Sequence, residues 1–285
     1  MTETAAKIEW ARIAEPQEDG YDSRVALALA QDGGLCPTDI GGVEPTFADG
    51  NIALTQDPIL NGFEGCRPAA LEHPNVATAE QLLRIWSVGF EQCKMLLHSI
   101  GLSESDALGQ DQVVGSICGP GSYGFGSIAV TVNHHMGLAE GIVHEMAHHK
   151  LQAIGVGFES ASRLVANPTS AQFPSPIRYD CLRPMTAVLH AQYSYTYIAN
   201  LDLAVVEHDT SSETRKHAVV EHSLAVIIPK LAFGLTVLKD EWIRDADGEE
   251  FARGLFDWCE RVVGDGERIL SETCVQPVAF QHPLG

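Results

Sequence analysis

The sequence predicts an α+β fold that is predominantly α-helical, with a small β element placed before a buried helix. Two observations carry this expectation. Apolar residues recur at helical spacing in several long segments, which together cover most of the chain from residue 78 onward. The run SIAVTV at 127–132 is rich in β-branched residues and follows a glycine-rich stretch, so it predicts a strand directly before the longest buried helical pattern.

The 285 residues are expected to form a single domain, 1–285, because no Pro/Gly/Ser-rich stretch or block of charge divides them. Residues 1–75 are rich in Gly, Pro and Asp and are expected to wrap the core as an irregular segment. Residues 120–205 hold the candidate site, and helices within 213–270 complete the domain. With 45% hydrophobic residues the chain has enough apolar surface to bury a large core.

Helix boundaries follow from caps and breakers. One helix is predicted from Thr78 to about Ile100, ending at Gly101. A second, over 138–154, has apolar residues around most of its circumference and is expected to be buried, with Glu140 and Lys150 as its solvent-facing charges. A third begins at Pro184 and extends to about residue 206. Two more helical patterns span 213–238 and 248–270.

Charge and composition exclude several classes of partner. The 38 acidic and 18 basic residues give a net charge of −20, which repels nucleic acid and anionic membrane surfaces. The N-terminal twenty residues lack the apolar core of a secretory signal. The apolar stretch 218–238 is interrupted by charged residues and Pro229 and is not expected to cross a bilayer. Seven scattered cysteines without a CxxC pair are typical of a reducing, cytoplasmic setting.

The buried helical pattern contains the sequence HExxH as His144, Glu145, Met146, Ala147 and His148. Two histidines four residues apart project from the same face of a helix and can bind one metal ion. Because imidazoles and a carboxylate are costly in an apolar helix without a partner, metal ligation explains them better than satisfied core histidines do. In a zinc peptidase Glu145 would be the general base.

The third metal ligand separates two classes of enzyme. A metzincin requires HExxHxxGxxH, but positions 151 and 154 are Leu and Ile, and no downstream Glu has the gluzincin pattern. His190 is the preferred ligand because it lies in the apolar helix that begins at Pro184, which makes this second helix metal-ligand-bearing. A core histidine bonded to a carbonyl remains its alternative. Other histidines compete for the role: His134, His135, His208 and His222.

Arg183 lies seven residues before His190, nearly two helical turns away on the same face and near the helix N-terminus. A guanidinium at that position is a good anion site, so a compact dicarboxylate could reach both the metal and Arg183. An ion pair with Asp180 is the alternative for this arginine. Ser194 and Tyr197 share the face of His190 and are candidate cofactor-binding residues, although tyrosines at such spacing are more often core residues.

The segments AEGIVHEMAHHKLQAI and RYDCLRPMTAVLHAQYSYTYIANLDLAVV resemble the HExxH-type 2-oxoglutarate-dependent peptide β-hydroxylases of natural-product biosynthesis, also described as HExxH peptide-modification proteins. These proteins have a similar strand, a helix with LVHExxHxKL and a following RPLxxxLHxxYxF helix. The likeness covers about residues 120 to 205 well and the remainder weakly. The paired motifs are more specific than HExxH alone.

The resemblance implies a non-haem Fe(II) dioxygenase, a hydroxylase in which His144, His148 and His190 hold iron and 2-oxoglutarate chelates it. Arg183 would bind the distal carboxylate of the ketoacid, and Glu145 would orient the site instead of acting as a base. The expected substrate is a small molecule or peptide oxidised at an unactivated, β-type carbon, with dioxygen as co-substrate. A zinc hydrolase and a binding-only protein remain the alternatives, and a homodimer is left open.

Overall fold

The computed structural model describes residues 7–35, 46–56, 65–106, 115–118, 124–178, 180–208, 214–280 and 282, with the side chains of 214–217 left aside. Within these ranges the protein is a mixed α+β structure in which helices predominate, as the sequence predicts. Its helices are α1 (Trp10–Ile13), α2 (Tyr21–Asp32), α3 (Pro74–Ile85), α4 (Ser87–Leu96), α5 (His135–Ala153), α6 (Met185–His208), α7 (Thr214–Glu241) and α8 (Ala246–Glu272).

The β element is larger than the single strand that the sequence predicts. Six strands form one sheet: β1 (Thr46–Phe47), β2 (Ile52–Gln56), β3 (Cys66–Pro68), β4 (Ser99–Ser105), β5 (Ser116–Cys118) and β6 (Ser127–Thr131). Their order is β1-β2-β4-β6-β5, with β3 paired to the far end of β4. The β2–β4 and β4–β6 pairs are parallel, whereas the outer pairs are antiparallel.

The predicted strand before the motif helix is confirmed as β6, all five residues of which are buried. Continuous burial is expected for a parallel strand that is covered on both faces. Only three residues separate Thr131 from the start of α5 at His135, so the central part of the sheet delivers the chain directly into the HExxH helix. The side chain of His134 caps that helix by accepting a hydrogen bond from Gly137 N at 3.5 Å.

The single helix predicted over 78–100 is wrong in two respects. It is divided into α3 and α4 at Trp86, whose ring folds over Gly89 so closely that a Cβ there would lie 2.3 Å from it. The predicted stop, Gly101, lies inside β4. Ser99–Ser105 pairs with β2 and β6, which are distant in the sequence, so the local sequence pattern does not predict this strand.

The described part of residues 1–75, which leaves out 1–6, 36–45 and 57–64, is more regular than the irregular wrapping segment that the sequence predicts. Trp10 and Ile13 of α1 are buried, and α1 packs on α8. Gly254 permits this approach, since a Cβ at that position would lie 2.1 Å from the carbonyl oxygen of Ala11. The N-terminal segment therefore contributes to the core rather than only covering it.

Helix α5 is buried as expected at fifteen of its 19 residues, but the prediction that Glu140 and Lys150 face solvent is wrong. Lys150 is 0% exposed; its Nζ pairs with the buried carboxylate of Asp22 from α2 and donates to Tyr197 Oη at 3.0 Å. Glu140 is 4% exposed and faces α6 and α7. Helical periodicity located the helix, but it does not distinguish a buried ion pair from a solvated charge.

The C-terminal helices match the predicted segments, except that the expected start at Glu213 lies outside the described residues. Among the described residues one helix, spanning Ala218–Glu241, is long and apolar enough by composition to cross a membrane, with a mean hydropathy of 1.5. It packs against α6 and α8, and core helices commonly have the same composition. A single helix of this kind is weak support for a membrane span.

The buried ion pair between α2 and α5 yields a prediction for stability. Replacing Asp22 by Asn leaves the ammonium of Lys150 buried without a counter-charge, so the free energy of unfolding should fall by about 3–5 kcal/mol. The double variant Asp22→Leu/Lys150→Met should lose less, because it removes both charges. Urea unfolding followed by circular dichroism measures both. Asp19→Asn, at an exposed ion pair with Arg12, serves as the control and should barely move the midpoint; equal losses in the single and double variants would contradict the prediction.

Candidate functional site

His144, His148 and His190 lie side by side and are called here the histidine cluster. The Nε2 atoms of His144 and His148 are 3.1 Å apart on one face of α5, one helical turn from each other. His190 comes from α6, and its Nδ1 lies 2.9 Å from Nδ1 of His148. The structure thus brings together all three histidines that the sequence selects as metal ligands, across the contact between α5 and α6.

The hydrogen bonds assign the proton positions of the neutral cluster. His190 Nε2 donates to the carbonyl oxygen of Val156 at 2.9 Å, which leaves its Nδ1 as an acceptor. His148 then donates from Nδ1 to His190 and accepts at Nε2 from His144. The result is a chain of three imidazoles that ends at a backbone carbonyl, and His144 Nδ1 is left buried without a hydrogen-bond partner.

Burial is the main cause of the electrostatic state of the cluster. It lowers the pKa of His144, lowers the pKa of His148 well below the usual range and lowers the pKa of His190 to about 4. Neighbouring histidines add to the effect at His148 and His190, while Glu145 opposes it at His144. All three rings are therefore neutral at pH 7, which is the protonation state that a metal ligand needs.

The cluster has the donor chemistry of a metal site and part of its geometry. The distance of 3.1 Å between His144 Nε2 and His148 Nε2 is compatible with two nitrogen atoms that each lie about 2.0–2.1 Å from one ion. The hydrogen bond from His190 Nε2 to a carbonyl oxygen is typical of metal-bound histidines. His148, however, presents a different nitrogen to each neighbour. Among the described residues no group of three His, Cys, Asp or Glu side chains converges as ion ligands do. Ligation by all three therefore requires rotation of an imidazole ring.

A cavity of about 510 Å³ opens beside the cluster, within the size range of small-molecule sites. Glu145, which is 3% exposed, lies on its wall and accepts a hydrogen bond of 2.6 Å from Ser116 Oγ of β5. Burial, reinforced by Glu145, raises the pKa of the Cys118 thiol on the same strand. The charged and polar groups that line the cavity are those of His144, His148, Glu145, Ser116, Cys118, Gln152, Ser175, Arg178 and Arg183.

Arg183 contributes to this cavity from the residue pair that precedes α6. Its guanidinium forms an ion pair with Glu159 and lies 5.4 Å from the ring centroid of Phe158, while its Nε is buried without a hydrogen-bond partner. The alternative partner that the sequence offers, Asp180, is instead bonded to Arg178. Arg183 therefore shares a cavity with the histidine cluster but carries a counter-charge from the loop that follows α5.

Ser194 and Tyr197 do not line this cavity, so the structure gives no support to a cofactor-binding role for either. Ser194 Oγ donates to the carbonyl oxygen of Ala191, and Tyr197 Oη accepts from Lys150. Both side chains are 0% exposed within the core. They share the general face of His190, but α6 is buried around nearly its whole circumference, and periodicity does not identify which of its neighbours each residue meets.

The other histidines lie in different surroundings. His149 bonds to the carbonyl oxygen of Ser127 at 3.0 Å, which joins α5 to the sheet. His134 and His135 stack on each other at the start of α5, with ring centroids 4.5 Å apart. His222 lines another cavity on α7. Among the histidines that the structure describes, His190 is therefore the one that contacts the HExxH pair from another helix.

Two site residues were missed by the sequence reasoning, Phe158 and Ser116. The Phe158 ring is 49% exposed, yet it lies 5.2 Å from the ring of His190 and 6.2 Å from that of His148. Ser116 lies on a three-residue strand that no local pattern indicates. The sequence does contain one weak signal, an aromatic residue five positions after the end of α5.

Comparison of the chain with protein-family models and with curated proteins finds no match. The family resemblance therefore stays a prediction that rests on the quoted motifs. The arrangement of the site carries the functional argument that follows.

The lowered pKa of His190 predicts how stability depends on pH in the presence of a chelator. An unfolded histidine has a pKa of about 6.5, so from about pH 6.5 down to about pH 4 the unfolded chain binds the proton that the folded chain resists. The free energy of unfolding should fall over this range, with His190 accounting for about 3 kcal/mol. Urea unfolding at several pH values should give a shallower dependence for His190→Gln than for the wild type. His208→Gln is the exposed control, and parallel curves for His190→Gln and wild type would contradict the assignment.

Proposed function

We propose that this protein is a non-haem Fe(II), 2-oxoglutarate-dependent oxygenase that hydroxylates an unactivated carbon, in a cytoplasmic setting. The observation that carries the proposal is the meeting of His144, His148 and His190 beside a cavity that His144, His148 and Arg183 line. Three neutral imidazoles would leave positions on an octahedral ion for a chelating ketoacid and dioxygen. Bound iron would supply the oxidation of a C–H bond coupled to decarboxylation of 2-oxoglutarate to succinate.

The residues of the chain would have separate tasks in such an enzyme. His190 is oriented by Val156, so its Nδ1 is the nitrogen available for an ion. Glu145 is held by Ser116 and lies 3.9 Å from His144 Nε2, where it stabilises an imidazole that gains positive character on binding a cation. Phe158 covers His148 and His190 and limits the access of water.

Arg183 is suited to hold the distal carboxylate of 2-oxoglutarate, because its guanidinium faces the same cavity as the cluster and a fork of N–H groups matches a carboxylate. Its pairing with Glu159 indicates that the ketoacid competes with an internal carboxylate. Glu159 is exposed and has a left-handed backbone with φ of 57°, a conformation that a non-glycine residue adopts at some cost. Displacement of Glu159 is therefore a small structural change.

A zinc hydrolase is the second candidate, and the position of Glu145 favours it. The carboxylate lies on the cavity wall beside His144, where a general base of a metal-bound water would be placed. Arg183 would then bind a substrate carboxylate. This function needs Glu145 as a chemical group, whereas the oxygenase needs it only for orientation.

Metal binding separates the two candidates. Anaerobic addition of Fe(II) and 2-oxoglutarate should produce a weak visible charge-transfer band with the wild type and none with His190→Ala, because the third ligand is lost. His208→Ala is the control and should retain the band. Glu145→Gln should weaken the band without abolishing it. The hydrolase would be established instead if the wild type bound only zinc and gave no band, and if its hydrolytic activity were absent from Glu145→Gln.

The anchoring role of Arg183 predicts opposite effects from the two members of its ion pair. Arg183→Met should raise KM for 2-oxoglutarate by about tenfold or more, since a charge-assisted hydrogen bond contributes roughly 1.5–3 kcal/mol. Glu159→Gln should lower KM by removing the competing carboxylate. Succinate release at varied 2-oxoglutarate measures both.

Arg178 provides the matched control because it lines the same cavity but is already held by Asp180. Arg178→Met should leave KM nearly unchanged. If Arg178→Met raises KM and Arg183→Met does not, the anchor has been assigned to the wrong arginine.

A further inference from the structure

A second cavity, of about 740 Å³, lies between α5, α6 and α7. His144 and Ser116 line this cavity as well as the first one, so His144 of the histidine cluster borders both. The ring of Tyr195 meets that of His144 edge to face on this side, with centroids 5.6 Å apart. A molecule in the second cavity would reach the cluster at His144, in a space that Arg183 does not line.

One wall of the second cavity holds a carboxyl pair, Glu140 of α5 and Asp202 of α6. Glu140 lines the cavity and is 4% exposed, whereas Asp202 is 0% exposed behind it. Ser223 Oγ donates to Glu140 Oε1 at 3.3 Å, and the carboxyl group of Asp202 faces Glu140 and Ser223, although no hydrogen bond of normal geometry reaches either of its buried oxygens. Lys230 and His222 of α7 line the same cavity, but among the described residues no lysine, arginine or histidine is hydrogen-bonded to either carboxyl group.

The energetic cost of this arrangement calls for an explanation. Burial raises the pKa of Glu140 to about 7, and burial together with the neighbouring Glu140 raises the pKa of Asp202 well above its usual range. Two buried carboxyl groups without a counter-ion are more costly than an apolar pair of similar size. A cationic ligand would repay that cost by supplying the missing partner. Strongly perturbed acids at a cleft are common in functional sites.

The position of the pair relates it directly to the histidine cluster. Glu140 lies four residues before His144, so the two side chains are on the same face of α5 about one helical pitch, roughly 5.4 Å, apart. Both line the cavity. A ligand whose cationic group contacts Glu140 would therefore place a carbon a few bonds away beside His144.

We propose that the second cavity is the substrate site and that Glu140, backed by Asp202, binds a primary amine or guanidinium group of the substrate, an inference that rests on the proposed oxygenase function. The cavity is far larger than a metal ion requires, and Tyr195, Ile198 and Val226 give it an apolar wall for a carbon chain. The net charge of −20 attracts cationic molecules to the protein as a whole. The substrate class is accordingly a cationic amino-acid-like compound or a peptide with a basic side chain.

Three probes of equal chain length test the recognition of charge: hexylamine, hexan-1-ol and hexanoate. Each is titrated calorimetrically into the full chain with a chelator present and without ketoacid. Hexylamine should bind at least tenfold more tightly than the alcohol or the acid. Glu140→Gln and Asp202→Asn, which keep the side-chain shapes, should each weaken hexylamine binding by tenfold or more, and Glu267→Gln on the exposed face of α8 should not.

Ala218→Trp provides a second line that leaves the carboxyl pair intact. Ala218 is exposed and lines the cavity, so a bulky side chain there should block hexylamine without disturbing the core. Equal binding of the three probes by the wild type, or unchanged hexylamine binding in Glu140→Gln, would overturn the proposal. So would calcium binding by the wild type that is lost in Glu140→Gln, measured without chelator, since the pair would then be an ion site.

The failure of this proposal is distinguishable from failure of the proposed function. The titrations contain no iron and no 2-oxoglutarate, whereas the charge-transfer band and succinate release require both. Selective amine binding without the band would leave the cation site standing and reject the oxygenase. The band without selective amine binding would retain the oxygenase and reject this substrate class.

Discussion

The packing of α5 against α6 is the contact on which the rest of the site depends. His144 and His148 lie on one helix and His190 on the other, so the separation of the two helices sets the distance between the imidazole nitrogens. The same contact places Glu140 opposite Asp202, about two turns before His148 on α5. A shift of one helix along the other would separate both pairs at once. The histidine cluster and the carboxyl pair are therefore coupled features of one interface.

Helix α5 is unusual in the number of ionisable side chains that it carries into the core. Each has a different partner: Lys150 meets Asp22, His149 meets the sheet at Ser127, and Glu145 meets Ser116. These contacts tie the helix to α2 and to strands β6 and β5. The two histidines of the motif thus occupy fixed positions, because the polar residues next to them are already engaged.

Burial shifts pKa values in opposite directions in the two halves of this interface, the histidine cluster and the carboxyl pair. It disfavours charge everywhere, so it keeps the imidazoles of the cluster neutral and available as donors, while it raises the pKa of Glu140 and Asp202 and leaves them in need of a cation. A cavity adjoins each half, and His144 borders both. In the proposed function, one low-dielectric environment would therefore serve two sites with different ligand preferences, a metal with an anionic co-substrate on one side and a cationic group of the substrate on the other.

The sequence by itself determined the helices around the site and the identity of the cluster. HExxH fixes its two histidines by helical geometry alone, and His190 was recognisable because an imidazole in so apolar a helix needs a partner. The strand β6 and the helices α5 and α6 were located for the same reason, since apolar periodicity and β-branched runs are local signals. Arg183 was placed near the cluster by counting two helical turns from His190.

Only the tertiary structure decided which partner each side chain meets. Lys150 and Glu140 read as solvent-facing charges, yet their partners Asp22 and Asp202 lie 128 and 62 residues away along the chain, at separations that no periodicity encodes. Arg183 pairs with Glu159 rather than the nearby Asp180, and Tyr197 turns to Lys150 instead of the cavity. The break between α3 and α4 at Trp86 and the parallel strand β4 also result from packing between segments, which the local sequence does not encode. Local sequence specifies which groups a helix presents, whereas packing between distant segments decides what those groups contact.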